Sequence, residues 1–310
     1  MNRALRRLVM MSPAAAIAAC SLVNNLDTIG VGDGVPGVSL SDGGQDERND
    51  ASSSDAAVNV PMVGDGGGAD ADADACGTLG CSPLYAGLAA YWPFDNDYND
   101  GSGNGLDLAV TSGTAQRVAA KFGNGYFGGL GSDYRCLSCG ALTRATSPAL
   151  DLGGDFTISL WVNRTANANV DVSWYHYALF DNGQIVFGAN GNGPSPSPVY
   201  PTVTFVGTVA TAATLSDATF DFRDAANVGV WVHLIVFRSA NLIGLRVNGN
   251  ETTGLIAAPV GSAAATFRVG HDTSGYPWQG VIDEVAVWKR ALTGAEMDAL
   301  YNGGAGRTLK

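Results

Sequence analysis

Alternation of apolar and polar residues recurs through the second half of the chain and predicts β-strands. The run DFTISLWVNR at 155–164 alternates strictly, and its apolar face consists of Phe156, Ile158, Leu160 and Val162. The run VWVHLIVFR at 230–238 is apolar on both faces, which is typical of a strand inside a sandwich. LIGLRVNGNET at 242–252 contains Asn248-Gly249, a strong hairpin signal. Short strands separated by Gly and Asn turns predict an all-β fold, a β-sandwich.

One short helix is predicted near the C-terminal end of the sequence. Thr293 and Glu296 have the spacing of a capping box, in which each residue satisfies a free backbone N–H near the other. Leu292 and Met297 flank this box as a hydrophobic staple. Asn302-Gly303 predicts the end of the helix. We expect this helix to pack on the sandwich without chemistry of its own.

The first 20 residues have the features of an export signal. Arg3, Arg6 and Arg7 precede the apolar run LVMMSPAAAIA, which is too short to span a bilayer permanently. The run ends in IAAC, and this ending resembles the lipobox of bacterial lipoproteins, whose Cys is acylated and becomes the new N-terminus. The resemblance implies lipidation of Cys20, and Ser21 after it favours the outer membrane. An ordinary signal peptide with an unrelated Cys is the alternative.

Residues 21–84 predict a disordered, acidic tether rich in Gly, Asp and Ala. The segment has no aromatic residue and no sustained apolar period, so it cannot bury enough apolar surface to offset its ordering entropy. Its DADADA run lacks the Gly turn and closing Glu of a calcium-binding loop. We expect a flexible connection that holds a domain at 85–305 away from the membrane.

Charge limits the partners of the chain. The 310 residues include 29 acids and 17 Lys or Arg, which gives a formal net charge of −12. This sign argues against nucleic acid and against an anionic membrane surface as partners. The lipid on Cys20 is therefore the one membrane attachment that we expect.

Four further cysteines are predicted to form disulfides. Cys76 and Cys81 lie in CGTLGC, and Cys136 and Cys139 lie in CLSC. Two short pairs could also supply four thiolates to zinc, but an exported protein meets an oxidising compartment, where an even number of cysteines favours disulfides. The pairing stays open. Local bridges close easily, whereas a strand through YRCLSC would point its two cysteines to opposite faces and favour bridges between tether and domain.

Six segments occur in a recognisable order. They are LAAYWPFDNDYNDGSGNGLDL, KFGNGYFGG, LDLGGDFTISLWV, WVHLIVF, LRVNGN and WQGVIDEVAVWKRALTGAEMDALYNGG. Together they resemble the laminin-G-like jelly-roll domains of bacterial surface proteins, within the concanavalin A-like superfamily, over nearly all of 85–305. The resemblance implies the two-sheet jelly roll. It does not fix a ligand, because this fold serves lectins, glucanases, adhesion modules and spacers.

Asp283 and Glu284 stand side by side in the apolar run GVIDEVAVW at 280–288. A retaining glycosidase needs two carboxylates about 5–5.5 Å apart that flank one bond. Neighbouring strand residues point to opposite faces, so we expect that these two acids do not line one cleft. Related β-glucanases have E-x-D-x-x-E, and the further acids of that motif are missing here. We therefore expect no catalytic residue, with Glu284 on the face opposite Asp283 and paired with an Arg.

The loop PFDNDYNDGSGNG at 93–105 offers oxygen ligands of the kind that calcium prefers. In similar domains a structural calcium ion is often held between the loop of the first strand and an acid of the last strand. The resemblance therefore implies a Ca²⁺ site made by Asp95 or Asp100, by Asn104 or a loop carbonyl, and by Asp283. The alternative is that the loop residues are turn formers whose side chains bond their own backbone.

Aromatic residues in loops are the candidates for ligand contact, because jelly rolls bind sugars through aromatic platforms and polar loop groups. They are Trp174, Tyr175, Tyr200 and Tyr276, for which partial burial by packing is an equal alternative. We expect an exported, lipid-anchored cell-surface recognition module that binds a glycan or a partner protein without catalysis. A structural spacer without a ligand is the second interpretation, and a polysaccharide hydrolase is the third.

Overall fold

The computed structural model describes residues 82–129, 136, 139–165, 176–191, 198–209, 211–256, 258–264 and 266–309. All of them belong to one compact unit. The predicted signal peptide, almost all of the predicted tether, and the candidate residues Cys20, Cys76, Cys81, Trp174 and Tyr175 lie outside the described residues.

Strands dominate the described chain. In chain order they are β1 (Leu88–Trp92), β2 (Ala109–Ser112), β3 (Gln116–Ala119), β4 (Asn124–Phe127), β5 (Ala141–Ala145), β6 (Phe156–Arg164), β7 (His176–Asp181), β8 (Ile185–Gly191), β9 (Val199–Val206), β10 (Thr211–Ser216), β11 (Trp231–Ser239), β12 (Leu242–Val247), β13 (Asn250–Leu255), β14 (Thr266–Val269) and β15 (Gly280–Trp288). Short 3₁₀ turns lie at Pro83–Tyr85, Pro148–Leu150, Ala225–Asn227 and Asn302–Gly304.

The strands form two antiparallel sheets. Sheet A has the order β13-β12-β11-β6-β15-β4-β3, with β1 also paired to β15. Sheet B has the order β10-β9-β8-β7-β14-β5-β2. This arrangement confirms the predicted all-β, two-sheet jelly-roll sandwich. The hairpin predicted at Asn248-Gly249 joins β12 to β13, and both of its turn residues have positive φ.

The main core lies between the inner faces of the two sheets. Phe156, Ile158, Leu160 and Val162, the apolar face predicted for β6, are all buried there. β11 is apolar on both faces because each face is covered. One face packs in the main core, and the other packs in a smaller apolar cluster on the outer face of sheet A.

That smaller cluster lies under the single α-helix of the described residues, α1 (Gly294–Tyr301). Thr293 and Glu296 form the predicted capping box, and Met297 and Leu300 are buried in the cluster. Leu309, beyond the predicted domain boundary at 305, is buried in the same cluster. Within the described residues, no helix has the length and apolar character needed to cross a bilayer.

Candidate functional site

β15 carries its two adjacent acids at a β-bulge. The register between β15 and β6 is regular up to Asp283 and shifts before Ala286. The opposite edge of β15 changes partner at the same place, from β4 at Val281 and Ile282 to β1 from Val285 onward. Glu284, inside the bulge, has a φ of 53°, in the left-handed region that residues other than Gly rarely adopt.

The bulge turns both acidic side chains to the outer face of sheet A. Ile282 and Val285, on either side of the acids, both pack in the main core. Asp283 lies opposite an outer-face residue of β6, and Glu284 reaches the hydroxyl of Tyr91 in the outer cluster. The prediction that the acids point to opposite faces is therefore wrong, because a bulge adds one residue and interrupts the alternation.

Neutral groups, not cations, contact the two carboxylates. Asp283 Oδ2 accepts a hydrogen bond from the backbone N–H of Phe122 at 2.8 Å, and its Oδ1 accepts one from the N–H of Glu284 at 2.9 Å. Glu284 Oε2 accepts a hydrogen bond of 2.5 Å from the Tyr91 hydroxyl, which itself accepts one from the N–H of Leu309. Among the described residues no Lys or Arg forms an ion pair with either acid. The expected Arg partner of Glu284 is replaced by Tyr91.

Burial controls the ionisation of this pair. Asp283 is 0% and Glu284 is 5% exposed. Loss of hydration raises the pKa of Asp283 to about 7, although backbone N–H groups oppose the shift. It raises the pKa of Glu284 to about 8, and the neighbouring charge of Asp283 adds to this rise. Glu284 Oε1 is buried without a hydrogen-bond partner. The pair thus favours protonated forms.

The acids do not line a cleft that a polymer could enter. Glu284 lines a small cavity with Ser159, His233 and Arg307, beneath the C-terminal segment of the chain. The His233 ring stacks on Trp161, with 4.7 Å between centroids, and burial lowers the pKa of His233 to about 3, so the ring is neutral. Two carboxylates that cleave a glycosidic bond must reach the substrate. This pair instead lies within the packed outer cluster.

The expected calcium ligands are largely occupied by hydrogen bonds of the protein itself. Asp100 organises its loop by accepting hydrogen bonds from three backbone N–H groups, and the side-chain amide of Asn104 donates to two carbonyls of β1. Asp95 Oδ1 accepts the N–H of Asn124, in the turn that also contacts Asp283. Among the described residues, no three His, Cys, Asp or Glu side chains are grouped to hold a metal ion. Calcium also uses carbonyl and amide oxygens, so the calcium site stays a prediction.

Cys136 and Cys139 form a local disulfide, with a Cα–Cα distance of 5.2 Å. The N–H of Cys139 donates to the carbonyl of Cys136, which is the hydrogen bond of a turn. The strand predicted through these two cysteines is therefore wrong, and the turn brings both side chains together. Cys76 and Cys81 lie outside the described residues, and their disulfide stays a prediction.

The predicted aromatic contacts fall on different parts of the domain. Tyr276 lies in the loop between β14 and β15, is half-buried against the main core, and donates its N–H to Asp272. Trp278, in the same loop, is 3% exposed and contacts Phe222 edge-on. Tyr200 is half-buried on β9 and faces away from the core. Of these residues, Tyr200 alone belongs to the surface described next.

The outer face of sheet B presents uncharged polar groups over its β8–β10 part. Inward residues such as Phe187 and Val203 belong to the main core, so the residues that alternate with them face outward. Strand register aligns the outward residues in three rows across β8, β9 and β10: Val186, Thr204 and Thr214; Gly188, Thr202 and Ser216; Asn190 and Tyr200. We call these eight residues the hydroxyl face.

A shallow depression, with room for about one water molecule, lies in the hydroxyl face at Gly188. Val186, Asn190, Thr202 and Thr204 lie around the glycine in the lining of the depression. A Cβ atom at Gly188 would lie 1.9 Å from the backbone carbonyl oxygen of Tyr177 on β7. The close approach of β7 therefore requires glycine at this position. The surface of the depression is mostly apolar, and the hydroxyl and amide groups of Asn190, Thr202 and Thr204 lie around it.

The depression itself is uncharged. Its described lining contains no Asp, Glu, Lys, Arg or His. The nearest charged residues in the same sheet are Asp181, opposite Val186 on β7, and then Arg268 on β14. Both oxygens of Asp181 accept backbone hydrogen bonds, from Gly183 at 2.8 Å and Thr273 at 3.1 Å. A molecule on the hydroxyl face therefore meets hydrogen-bonding groups before it meets charge.

Sequence reasoning missed all of the hydroxyl face except Tyr200. The alternation in VYPTVTFV at 199–206 was a usable signal, since it places Thr202 and Thr204 on one face and Val203 on the other. No pattern within one strand indicates that Gly188 lies beside these threonines, because that proximity depends on the register between β8 and β9.

Comparison with known proteins gives one family match. Residues 140–298 match the model of a family described as the concanavalin A-like lectin/glucanases superfamily. A search of curated proteins found no match.

Solved structures of similar fold include two toxin domains. The binding domain of Paraclostridial Mosquitocidal Protein 1 is 18% identical, with a TM-score of 0.52 over 71% of this chain and 53% of that chain. The binding domain of Botulinum Neurotoxin DC in complex with SialylT is 14% identical, with a TM-score of 0.52 over 70% and 51%. Domain 4 of AbnA, a GH43 extracellular arabinanase from Geobacillus stearothermophilus, in complex with arabinotriose, is 18% identical, with a TM-score of 0.49 over 71% and 98%. The chain spans about half the length of the two toxin domains, and at these identities the likeness establishes the fold alone.

Proposed function

The chain belongs to the concanavalin A-like lectin/glucanases superfamily, and from that starting point we propose that its domain is a non-catalytic recognition module that binds a glycan through the hydroxyl face. The surface of a binding module must offer hydrogen-bonding groups in a concave, preformed site. The depression at Gly188, with Asn190 and Thr204 at its edge, is the observation that carries this proposal.

The chemistry of the face suits a sugar. Glycans present many hydroxyl groups, each of which can donate and accept, and Thr, Ser and Asn side chains do the same. The ring of Tyr200 at the end of the face offers an apolar surface to the C–H groups of a sugar. The names of similarly folded proteins, a toxin "binding domain" among them, agree with a binding role.

The non-catalytic part of the proposal rests on burial. Asp283 and Glu284 are the adjacent acids that a hydrolase interpretation would use, and they are 0% and 5% exposed. The described residues that line the depression of the hydroxyl face include no Asp or Glu. Neither surface therefore brings a pair of acids to a substrate, as glycoside hydrolysis requires.

A structural spacer without a ligand is the second candidate function, and one observation favours it. Thr202 and Ser216 hydrogen-bond to each other at 2.8 Å, and Thr202 also donates to the carbonyl of Tyr200. Some hydroxyl groups of the hydroxyl face thus have hydrogen-bond partners within the protein and need no ligand. The hydroxyl oxygens of Thr204 and Thr214 are 3.5 Å apart, at the limit of hydrogen bonding. These two hydroxyls are therefore more available to a ligand than those of Thr202 and Ser216.

A glycan array with the full-length chain tests the two candidates. We expect binding to a subset of glycans, and weakening of about tenfold or more in a Thr204→Val, Thr214→Val double variant, because two hydroxyl contacts of about 1 kcal/mol each are removed. Thr253→Val, an exposed threonine of β13 in sheet A, is the matched control and should bind normally. Absence of binding to any glycan by a folded protein would favour the spacer.

Export and lipidation complete the proposal. The IAAC sequence at 17–20 supports acylation of Cys20 and display at the outer membrane or cell surface. Mass spectrometry of the N-terminal peptide from cells should find an acyl group on Cys20. An unmodified peptide that begins before or after this residue would contradict the anchor.

A further inference from the structure

We propose that the hydroxyl face selects neutral glycans and rejects glycans that carry carboxylate or sulfate groups, a specificity that rests on the recognition function proposed above.

Desolvation is the first reason. A carboxylate or sulfate held against the Gly188 depression loses water and, among the residues that the structure describes there, finds hydroxyl and amide groups but no cation. Burying a charge without a partner is strongly unfavourable, whereas neutral sugar hydroxyls exchange hydrogen bonds with water for hydrogen bonds with Asn190 and Thr204. The lining therefore discriminates by charge even though it contains no charged residue.

The neighbouring residues add a repulsive contribution. Asp181, opposite Val186 in the register, is the nearest charged residue in the sheet, and it separates the depression from Arg268. Arg268 donates one hydrogen bond to the carbonyl of Thr266 on its own strand. Asp181 is buried, so an anionic ligand over Val186 would lie nearer to a buried carboxylate than to the partly exposed guanidinium of Arg268. The net charge of −12 for the whole chain acts in the same direction during approach.

The hydrogen-bond pattern explains how a neutral ligand is held. The exposed hydroxyl of Thr214 and the half-buried hydroxyl of Thr204 are adjacent across β9 and β10, and Asn190 lies one row beyond Gly188. Adjacent strands are about 4.8 Å apart, and alternate residues along a strand are about 6.8 Å apart. Hydroxyls at these spacings can contact successive hydroxyl groups of a sugar chain.

Two sets of probes test the proposal on the full-length chain. The neutral set is arabinotriose, maltopentaose and cellopentaose, and the acidic set is oligogalacturonate, sialyllactose and chondroitin sulfate. We expect binding within the neutral set only, with an affinity that does not change between low and physiological salt, because no ion pair is screened. Binding of the acidic set with equal or higher affinity would overturn the specificity while leaving glycan recognition intact. Absence of binding to both sets would overturn the recognition function itself.

A charge variant separates electrostatic exclusion from a lack of shape fit. Thr214→Lys places an ammonium group at the exposed edge of the hydroxyl face, and we expect it to gain at least about tenfold in affinity for an acidic probe, with the gain lost at high salt. Thr253→Lys adds the same charge to β13 in sheet A and should gain nothing. Equal gains in both variants, or none in Thr214→Lys, would contradict exclusion by charge at this face.

Discussion

At the scale of single residues, Glu284 combines a left-handed backbone with a buried carboxyl group. Its left-handed φ of 53° and the bulge around it place a second acid on the same face as Asp283, and burial without a cation keeps both acids prone to protonation. A strand pattern alone predicts opposite faces. The bulge coincides with the change of partner of β15 from β4 to β1, and no local residue pattern reports that change.

The buried Glu284 predicts a stability that falls as pH rises. Its folded pKa lies at about 8, above its ordinary value of 4.5, so its stabilising contribution is complete below 4.5 and is lost as pH rises through about 8. Between these values the free energy of unfolding should fall by up to about 1.4 kcal/mol per pH unit from this group. Denaturant unfolding of the full-length chain from pH 5 to pH 9 measures the slope.

Glu284→Gln should flatten that slope, since an amide does not titrate. Glu251→Gln, at an exposed position on β13, is the matched control and should leave the slope unchanged. Asp283 titrates in both variants and is coupled to Glu284, so the difference in slope measures the contribution of Glu284 together with this coupling. An identical pH dependence in the Glu284→Gln variant and its control would contradict the raised pKa.

At the scale of elements, the strands and the helix follow from local pattern and the site does not. Strict alternation predicts β6, and apolar character on both faces predicts β11. The capping box at Thr293 and Glu296 predicts α1. At Cys136 and Cys139 the sequence pattern predicts a strand where the structure has a turn. CLSC itself has no Gly, Pro, Asn or Asp to mark that turn. The hydroxyl face needs three strands in register, which single-strand patterns do not specify.

The loop after β1 and the acid of β15 together predict a response to calcium. If Asp95, Asp100 and Asp283 take part in a calcium site, a hundredfold excess over Kd should add about 2.7 kcal/mol of stability. Thermal unfolding should then shift upward with added calcium and downward with a chelator. Asp283→Asn should weaken the response, and Glu284→Gln should keep it.

Protein freed of metal, and verified as such by elemental analysis, is the starting material for that experiment. The alternative is that Asp100 and Asp283 serve the fold through the backbone hydrogen bonds that they already accept. A melting temperature that is indifferent to both calcium and chelator would remove the calcium site and leave this structural role.

At the scale of the whole molecule, fold and function depend on different surfaces. The two-sheet sandwich could be predicted because its core uses apolar residues at regular spacing, as on β6, where Phe156, Ile158, Leu160 and Val162 all point inward. The hydroxyl face, the proposed binding surface, cannot be predicted from the sequence as one group of neighbouring residues. Threonine, serine and glycine on outward positions are common in any sheet, and they become a site only when the fold aligns them around Gly188.

The central claim is that a neutral glycan binds on the hydroxyl face, and amide chemical-shift mapping of the labelled full-length chain tests it most directly. The probe is the neutral oligosaccharide of the proposed set that binds best. The account predicts saturable shifts that cluster at Gly188, Asn190, Thr204 and Thr214 on sheet B, with α1 and β13 unaffected. Shifts that cluster on the loop around Tyr276 or on sheet A, or no shifts with any of the neutral probes, would contradict it.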